Sequence, residues 1–265
     1  MPSRRRFLFL AVATVAAFTA APSWALGSLV DVEVVDRSQG ETLVPYVYRG
    51  ASYVAGRPGN RYAVRLSNRS GARVLVVLSV DGVNAVTGET AAVGQNGYVL
   101  APYASHEITG WRKSLQEAAA FYFTALPDSY AARTHRPDNV GVIGVAVFRE
   151  RLRQPQPMPG AELSSRERGG FAGDAGTANG AASPAPPAAK AADALARQER
   201  LGTGHGEREY VPVTRTEFER ASDAPAEVVR LRYDSYQNLV ASGVILRRRP
   251  VDRPEPFPGF VADPG

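Results

Sequence analysis

Two stretches constrain this chain more than any others. Arg73-Val74-Leu75-Val76-Val77-Leu78-Ser79-Val80 and Val140-Gly141-Val142-Ile143-Gly144-Val145-Ala146-Val147-Phe148 are rich in β-branched residues and apolar on both faces of an extended strand. A strand with one face in water alternates apolar and polar side chains. A run without alternation belongs inside a sheet covered on both sides. Gly141 and Gly144 point to a bulge or to close approach by a bulky neighbour.

The surrounding residues supply partners for these strands. Leu29–Val35 alternates on a period of two, and Tyr62, Val64 and Leu66 share one face. Further short strands are expected at 43–49, 51–55, 97–101, 105–110 and 119–125. Arg57-Pro58-Gly59-Asn60, Asn68-Arg69-Ser70-Gly71, Asp81-Gly82 and Asn96-Gly97 are turn sequences, because Gly and Asn accept positive φ and Pro presets φ. The pattern predicts a mainly β fold over 26–153, a β-sandwich of immunoglobulin-like or other Greek-key topology. One helix is expected at Ser114–Ala120, where Ser114 and Glu117 have capping-box spacing.

Residues 154–190 break this pattern. Pro, Gly and Ala make up 21 of these 37 residues, too little bulky apolar surface to offset chain entropy, so a disordered linker is expected. Order returns over 191–250. A short helix is expected at Ala191–Leu201, with strands at Glu209–Val213 and Glu227–Tyr233. A second short helix follows, capped by Asp234 or Ser235 and ended by Gly243, with Tyr236, Leu239 and Val240 on one face. This α+β segment is too small to be stable alone and is expected to pack on the sandwich. Residues 251–265 read as a disordered Pro-rich tail.

The N-terminus reads as an export signal. Arg4, Arg5 and Arg6 precede an apolar run of 15 residues, Phe7–Ala21, and Ser23-Trp24-Ala25 places cleavage after Ala25. The run is shorter than the roughly 20 residues a span needs, so no stable membrane anchor is expected after cleavage. Ser3-Arg4-Arg5-Arg6-Phe7-Leu8 resembles a twin-arginine export motif, with an ordinary Sec signal as the alternative. Either route implies the bacterial periplasm or secretion.

Charge and composition narrow the chemistry. Formal net charge is +5, of which the three signal arginines carry +3, leaving a nearly balanced remainder. Nucleic acid is therefore not an expected partner, since no basic stripe with interleaved aromatics occurs. The absence of cysteine excludes disulfides and thiolate metal sites. Only three histidines occur, and the sequence implies neither a metal nor another cofactor.

Individual residues offer few sites. Leu201-Gly202-Thr203-Gly204-His205-Gly206 holds a glycine-flanked histidine that could act as a base or a lone ligand. It lacks the strand and spacing of a dinucleotide loop, and the default reading is a turn. Ser105-His106-Glu107 is triad-like only on paper, because neighbours on a strand diverge. His135 reads as an exposed loop residue. Trp111 and Arg112 are types that anchor interfaces, and equally types that seal a core edge. Tyr46 and Tyr48 share a strand face and would stack on sugars if solvent-facing, or fill the core if not.

Leu78-Ser79-Val80-Asp81-Gly82-Val83-Asn84 with Thr87-Gly88-Glu89, Gly110–Ser114, Ser129–Thr134 running into Asn139–Gly144, Gly202–Gly206 and Tyr233–Leu239 together resemble an uncharacterised family of exported proteobacterial proteins. The resemblance spans both ordered parts and skips the linker. It implies export and a shared fold, and carries no activity or site residue.

The resulting expectation is a non-enzymatic β-sandwich that binds another envelope protein, with Tyr46, Tyr48, Trp111 and Arg112 as candidate contacts. One alternative is a module binding carbohydrate or cell-wall glycan. Another is a hydrolase or metal-dependent enzyme centred on His205, which would need Asp234 or Glu207 beside it.

Overall fold

The computed structural model describes residues 26–152 and 200–246. The expected signal peptide, the linker over 154–190, residues 191–199 of the expected helix and the tail over 251–265 lie outside the described residues.

Two sheets form, with strands numbered in chain order. The first contains β1 (Val30–Asp36), β2 (Glu41–Thr42), β5 (Arg61–Asn68), β9 (Ser105–Ile108), β10 (Gly110–Arg112), β11 (Glu117–Ala125) and β13 (Leu201–Tyr210). Its order is β10-β11-β5-β1-β2, with β9 also pairing β5 and β13 also pairing β11. The second contains β3 (Pro45–Tyr48), β4 (Ala51–Gly56), β6 (Val74–Val80), β7 (Val83–Asn84), β8 (Tyr98–Leu100), β12 (Val142–Arg149) and β14 (Glu227–Ser235). Its order is β3-β4-β14-β12-β6-β7, with β8 also pairing β6. All pairings are antiparallel except that of β14 with β4. The short helices α1 (Tyr130–Arg133) and α2 (Tyr236–Ala241) and two 3-10 turns, Leu126–Asp128 and Pro137–Asn139, complete the set among the described residues. No helix among the described residues is long and apolar enough to cross a membrane.

The core lies between the sheets. Val30, Val32 and Val34 of β1, Tyr62, Val64 and Leu66 of β5, and Phe121 and Phe123 of β11 meet Val76, Leu78 and Val80 of β6, Ile143, Val145 and Val147 of β12, and Leu231 and Tyr233 of β14. The two doubly apolar runs become β6 and β12, paired in register from Ile143 opposite Val80 to Arg149 opposite Val74. Their opposite faces, Leu75, Val77, Ala146 and Phe148, form a second small cluster with Val99 and Phe218. Arg220 lies over the Phe148 ring at 4.2 Å, which extends the cover.

The small α+β C-terminal part is woven into both sheets. β13 pairs along the whole of β11, and β14 lies between β4 and β12. β13 begins at Leu201, so the strand expected at Glu209 starts eight residues earlier. α2 follows the sequence reading: Ser235 Oγ accepts from the Asn238 N–H at 3.2 Å, and Gly243 adopts φ +74° just beyond the helix. Of its expected apolar face, Leu239 is buried and Tyr236 is exposed.

The helix expected at Ser114–Ala120 is corrected to a tight turn followed by strand. Ser114 Oγ does accept from the Gln116 and Glu117 N–H groups, but it closes the β10–β11 hairpin. A seven-residue helix gains little alone. Here the alanines pair instead, Ala118, Ala119 and Ala120 lying opposite Arg112, Trp111 and Gly110.

Candidate functional site

The glycine-rich stretch is part of β13, and its glycines serve packing. A Cβ on Gly204 would sit 2.1 Å from Cζ of Tyr122, the residue directly across on β11. A Cβ on Gly202 would sit 2.6 Å from Ser129 Cβ and 2.8 Å from Val140 Cγ1. Side chains alternate along a strand. Between these glycines, therefore, Thr203 points to the other face, into the core.

Thr203 joins a buried polar network that bridges the two sheets. Its Oγ1 lies 2.5 Å from the Tyr62 hydroxyl and 2.6 Å from the Tyr233 hydroxyl. Tyr233 donates to Asp81 Oδ1 at 2.6 Å. Asp81 also accepts from the Gly141 N–H at 2.9 Å and from the Thr203 N–H at 2.8 Å. Asp81 and Gly82 form the two-residue β6–β7 hairpin, with φ of +54° and +73°. Both residues of a type I′ turn need positive φ, which Asp tolerates and Gly accepts freely. This backbone delivers a carboxylate into the core. Burial pushes Asp81 up to about 6 against the pull of its hydrogen bonds. Burial, then the Asp81 charge, hold the Tyr62 and Tyr233 hydroxyls well above the ordinary phenol range.

The same carboxylate closes a sheet edge. Among the described residues β13 pairs with strands only through β11, which leaves its other edge without a strand. Asp81 takes the Thr203 N–H there, and Asp234 takes the Leu201 N–H at 3.0 Å. Unpaired edge groups invite further strands, and these two aspartates remove two of the donors.

His205, two residues beyond Thr203, sits at the rim. Its ring is parallel to that of Trp111 within 11° at 6.3 Å, and 5.2 Å from that of Tyr130. Lys113 Nζ lies 5.4 Å from the Tyr130 ring centre. Burial and then Lys113, with smaller effects from Arg208 and Arg133, hold His205 below its usual range. Burial and Arg208 lower Lys113 as well. Neither carboxylate required for an enzymatic role is at hand. Asp234 is bound to Leu201, about 13 Å from His205 at the rise of an extended strand, and Glu207 is drawn to Arg61 at 2.6 Å. Among the described residues no cluster of His, Asp and Glu has the arrangement of a metal site.

Other candidates are dispersed. Trp111 is fully buried, edge-on to Phe121 at 4.7 Å, and offers no surface to a partner. Arg112 is half-buried and donates to the Val211 carbonyl and, at 3.4 Å, to the Tyr98 hydroxyl. Ser105, His106 and Glu107 are exposed on β9, with Glu107 paired to Arg65 at 2.8 Å. His135 is exposed with φ +61° after α1.

Comparison with family models, curated proteins and solved structures finds no match to this chain.

The remaining feature is the edge strand β3. Tyr46 and Tyr48 are half-buried on it, opposite Tyr53 and Ala51 of β4, while Val47 is 63 % exposed and the preceding Val44 is 64 % exposed. Beside Tyr48, whose hydroxyl approaches Gly243, lies a shallow groove lined by Gln237, Val240, Gly243, Ile245 and Leu246. Sequence reasoning singled out the tyrosines of β3. It missed Asp81, Thr203 and Tyr233, whose association no local signal announces.

Proposed function

We propose that this chain is an exported, non-catalytic β-sandwich protein that binds another protein of the bacterial envelope through the free edge of β3. The observation that carries the reading is the contrast between edges. Carboxylates take two N–H donors at the start of the β13 edge, and β2 and β7 are only two residues long. Among the described residues β3 pairs only with β4, and Val44 before it and Val47 within it are exposed. An extended partner segment added there would gain backbone hydrogen bonds, with alternate side chains meeting Val47 and the neighbouring groove. Pro45 at its start limits uncontrolled pairing.

Export fits the local chemistry at residue 26. The Leu26 N–H donates to Asp31 Oδ1 at 2.9 Å, so cleavage after Ala25 would release an ammonium group against a carboxylate. The test is a photocrosslinking residue at position 47, with position 107 on the other sheet as control, in cells expressing the full chain. A discrete protein adduct at 47 and none at 107 is expected. Equal labelling at both positions, or none at 47, would overturn the proposal. Labelling of glycan alone at 47 would favour the carbohydrate reading through Tyr46 and Tyr48.

A further inference from the structure

The corner around His205 has an excess of donors and cations and a shortage of acceptors. Lys113 of the β10–β11 turn reaches over the Tyr130 ring that packs on His205, Arg133 follows Tyr130 by three residues in α1, and Arg208 follows His205 by three residues on β13, so that all three bear on its imidazole. The carboxylate in the cluster, Glu117, is taken by Arg208 at 3.2 Å. Neither Lys113 nor Arg133 has an ion-pair partner among the described residues. Beneath them, the fully buried Trp111 has an indole N–H without an acceptor. Tyr130 packs against both the Trp111 ring, at 4.8 Å, and His205, and so fixes the geometry of the corner. Gathering like charges around an imidazole is unfavourable unless something of opposite sign offsets it. The outer groups remain solvent-accessible, so an ion can reach them.

We propose that Lys113, Arg133, His205 and Arg208 form a binding site for an oxyanion, a phosphate or carboxylate group. The site lies on the sheet opposite β3 and stands apart from the partner edge. Charge-assisted hydrogen bonds from the ammonium and guanidinium groups hold the anion, and Tyr130 supplies the wall. His205 becomes a further donor when protonated, so anion binding and its protonation promote each other.

His106 makes the test internal. The imidazole resonances of the mature chain are titrated by NMR in chloride, then in inorganic phosphate or acetate at matched ionic strength. The His205 midpoint is expected below the ordinary value in chloride and to rise in the oxyanion, by about one pH unit for tenfold preferential binding to the protonated form. His106, exposed on β9 away from this corner, is the internal control. Lys113→Gln with Arg133→Gln should raise the His205 midpoint in chloride and abolish the response. A response to phosphate alone assigns a phosphate site, and a response to both anions a general oxyanion site. A His205 midpoint no more sensitive to either anion than that of His106, or a response that survives in the double variant, would refute the proposal. These outcomes are independent of crosslinking at β3.

Discussion

Replacing Asp81 by Asn isolates the energetics of the buried network. The backbone should tolerate the change, since Asn accepts the φ of +54° as readily as Asp. In the ionised state every donor has a place: Tyr62 donates to Thr203, Thr203 to Tyr233, Tyr233 to Asp81, and two N–H groups complete the carboxylate. Protonating Asp81 reverses one link and strands one hydroxyl hydrogen, yet relieves a buried charge. The balance places its folded pKa at about 6 against an ordinary 3.8, equivalent to about 3 kcal/mol. For a raised pKa the stabilisation is complete below the unfolded value and is lost as pH rises through the folded one. Between about pH 7.5 and 4.5 the native protein should therefore gain about 2 kcal/mol from this group. Asp81→Asn lacks that titration. Measured by thermal unfolding, the native Tm should rise relative to the variant by roughly 4–8 °C over that interval. Taking the difference between the two proteins removes the common contribution of the other carboxylates, including Glu227, whose pKa is lowered. Parallel pH profiles would refute the account of Asp81 as a buried, titrating carboxyl.

Three further outcomes follow from the same contacts. Tyr233→Phe removes the hydroxyl donor to Asp81 and should cost about 1.5–3 kcal/mol in urea unfolding at neutral pH, moving the Asp81-linked transition to higher pH. Gly202→Ala places a Cβ within 2.6 Å of Ser129 and should cost about 1–3 kcal/mol by the same assay, whereas Gly59→Ala meets no atom and, despite its φ of +86°, should cost less. A chain ending at residue 190 loses β14 from between β4 and β12 and should show no cooperative unfolding transition by circular dichroism.

The strands were legible where period-two alternation met turn chemistry. β5, β6 and β12 fall within a residue or two of their expected places, because their burial patterns are written in their own side chains. β13 was hidden because Gly-Thr-Gly-His-Gly has little strand propensity of its own. Its extended form comes from β11, whose Tyr122 needs a glycine opposite. The signal present in the sequence was the strict alternation of Gly with Thr and His. Ser114 reads as a helix cap for a related reason, since the same hydroxyl geometry serves a cap and a turn. The Asp81-Gly82 turn was visible as a turn. Its carboxylate's partners are 122 residues away at Thr203 and 152 away at Tyr233, beyond local patterns.

Asp81 and His205 both carry displaced acidity, and perturbed acidity alone often marks a functional site. The surroundings separate them. Asp81 is wholly enclosed, and its carboxylate is held by the Gly141 and Thr203 N–H groups and the Tyr233 hydroxyl, so its displacement is a cost of joining the two sheets. A ligand reaching it would have to break the β13 edge. His205 is half-buried, and the charges around it are cations with too few acceptors among the described residues. Its displacement is one an arriving anion would reverse. Asp81 is thus the structural acid, and His205 the group whose titration should answer to something outside the chain.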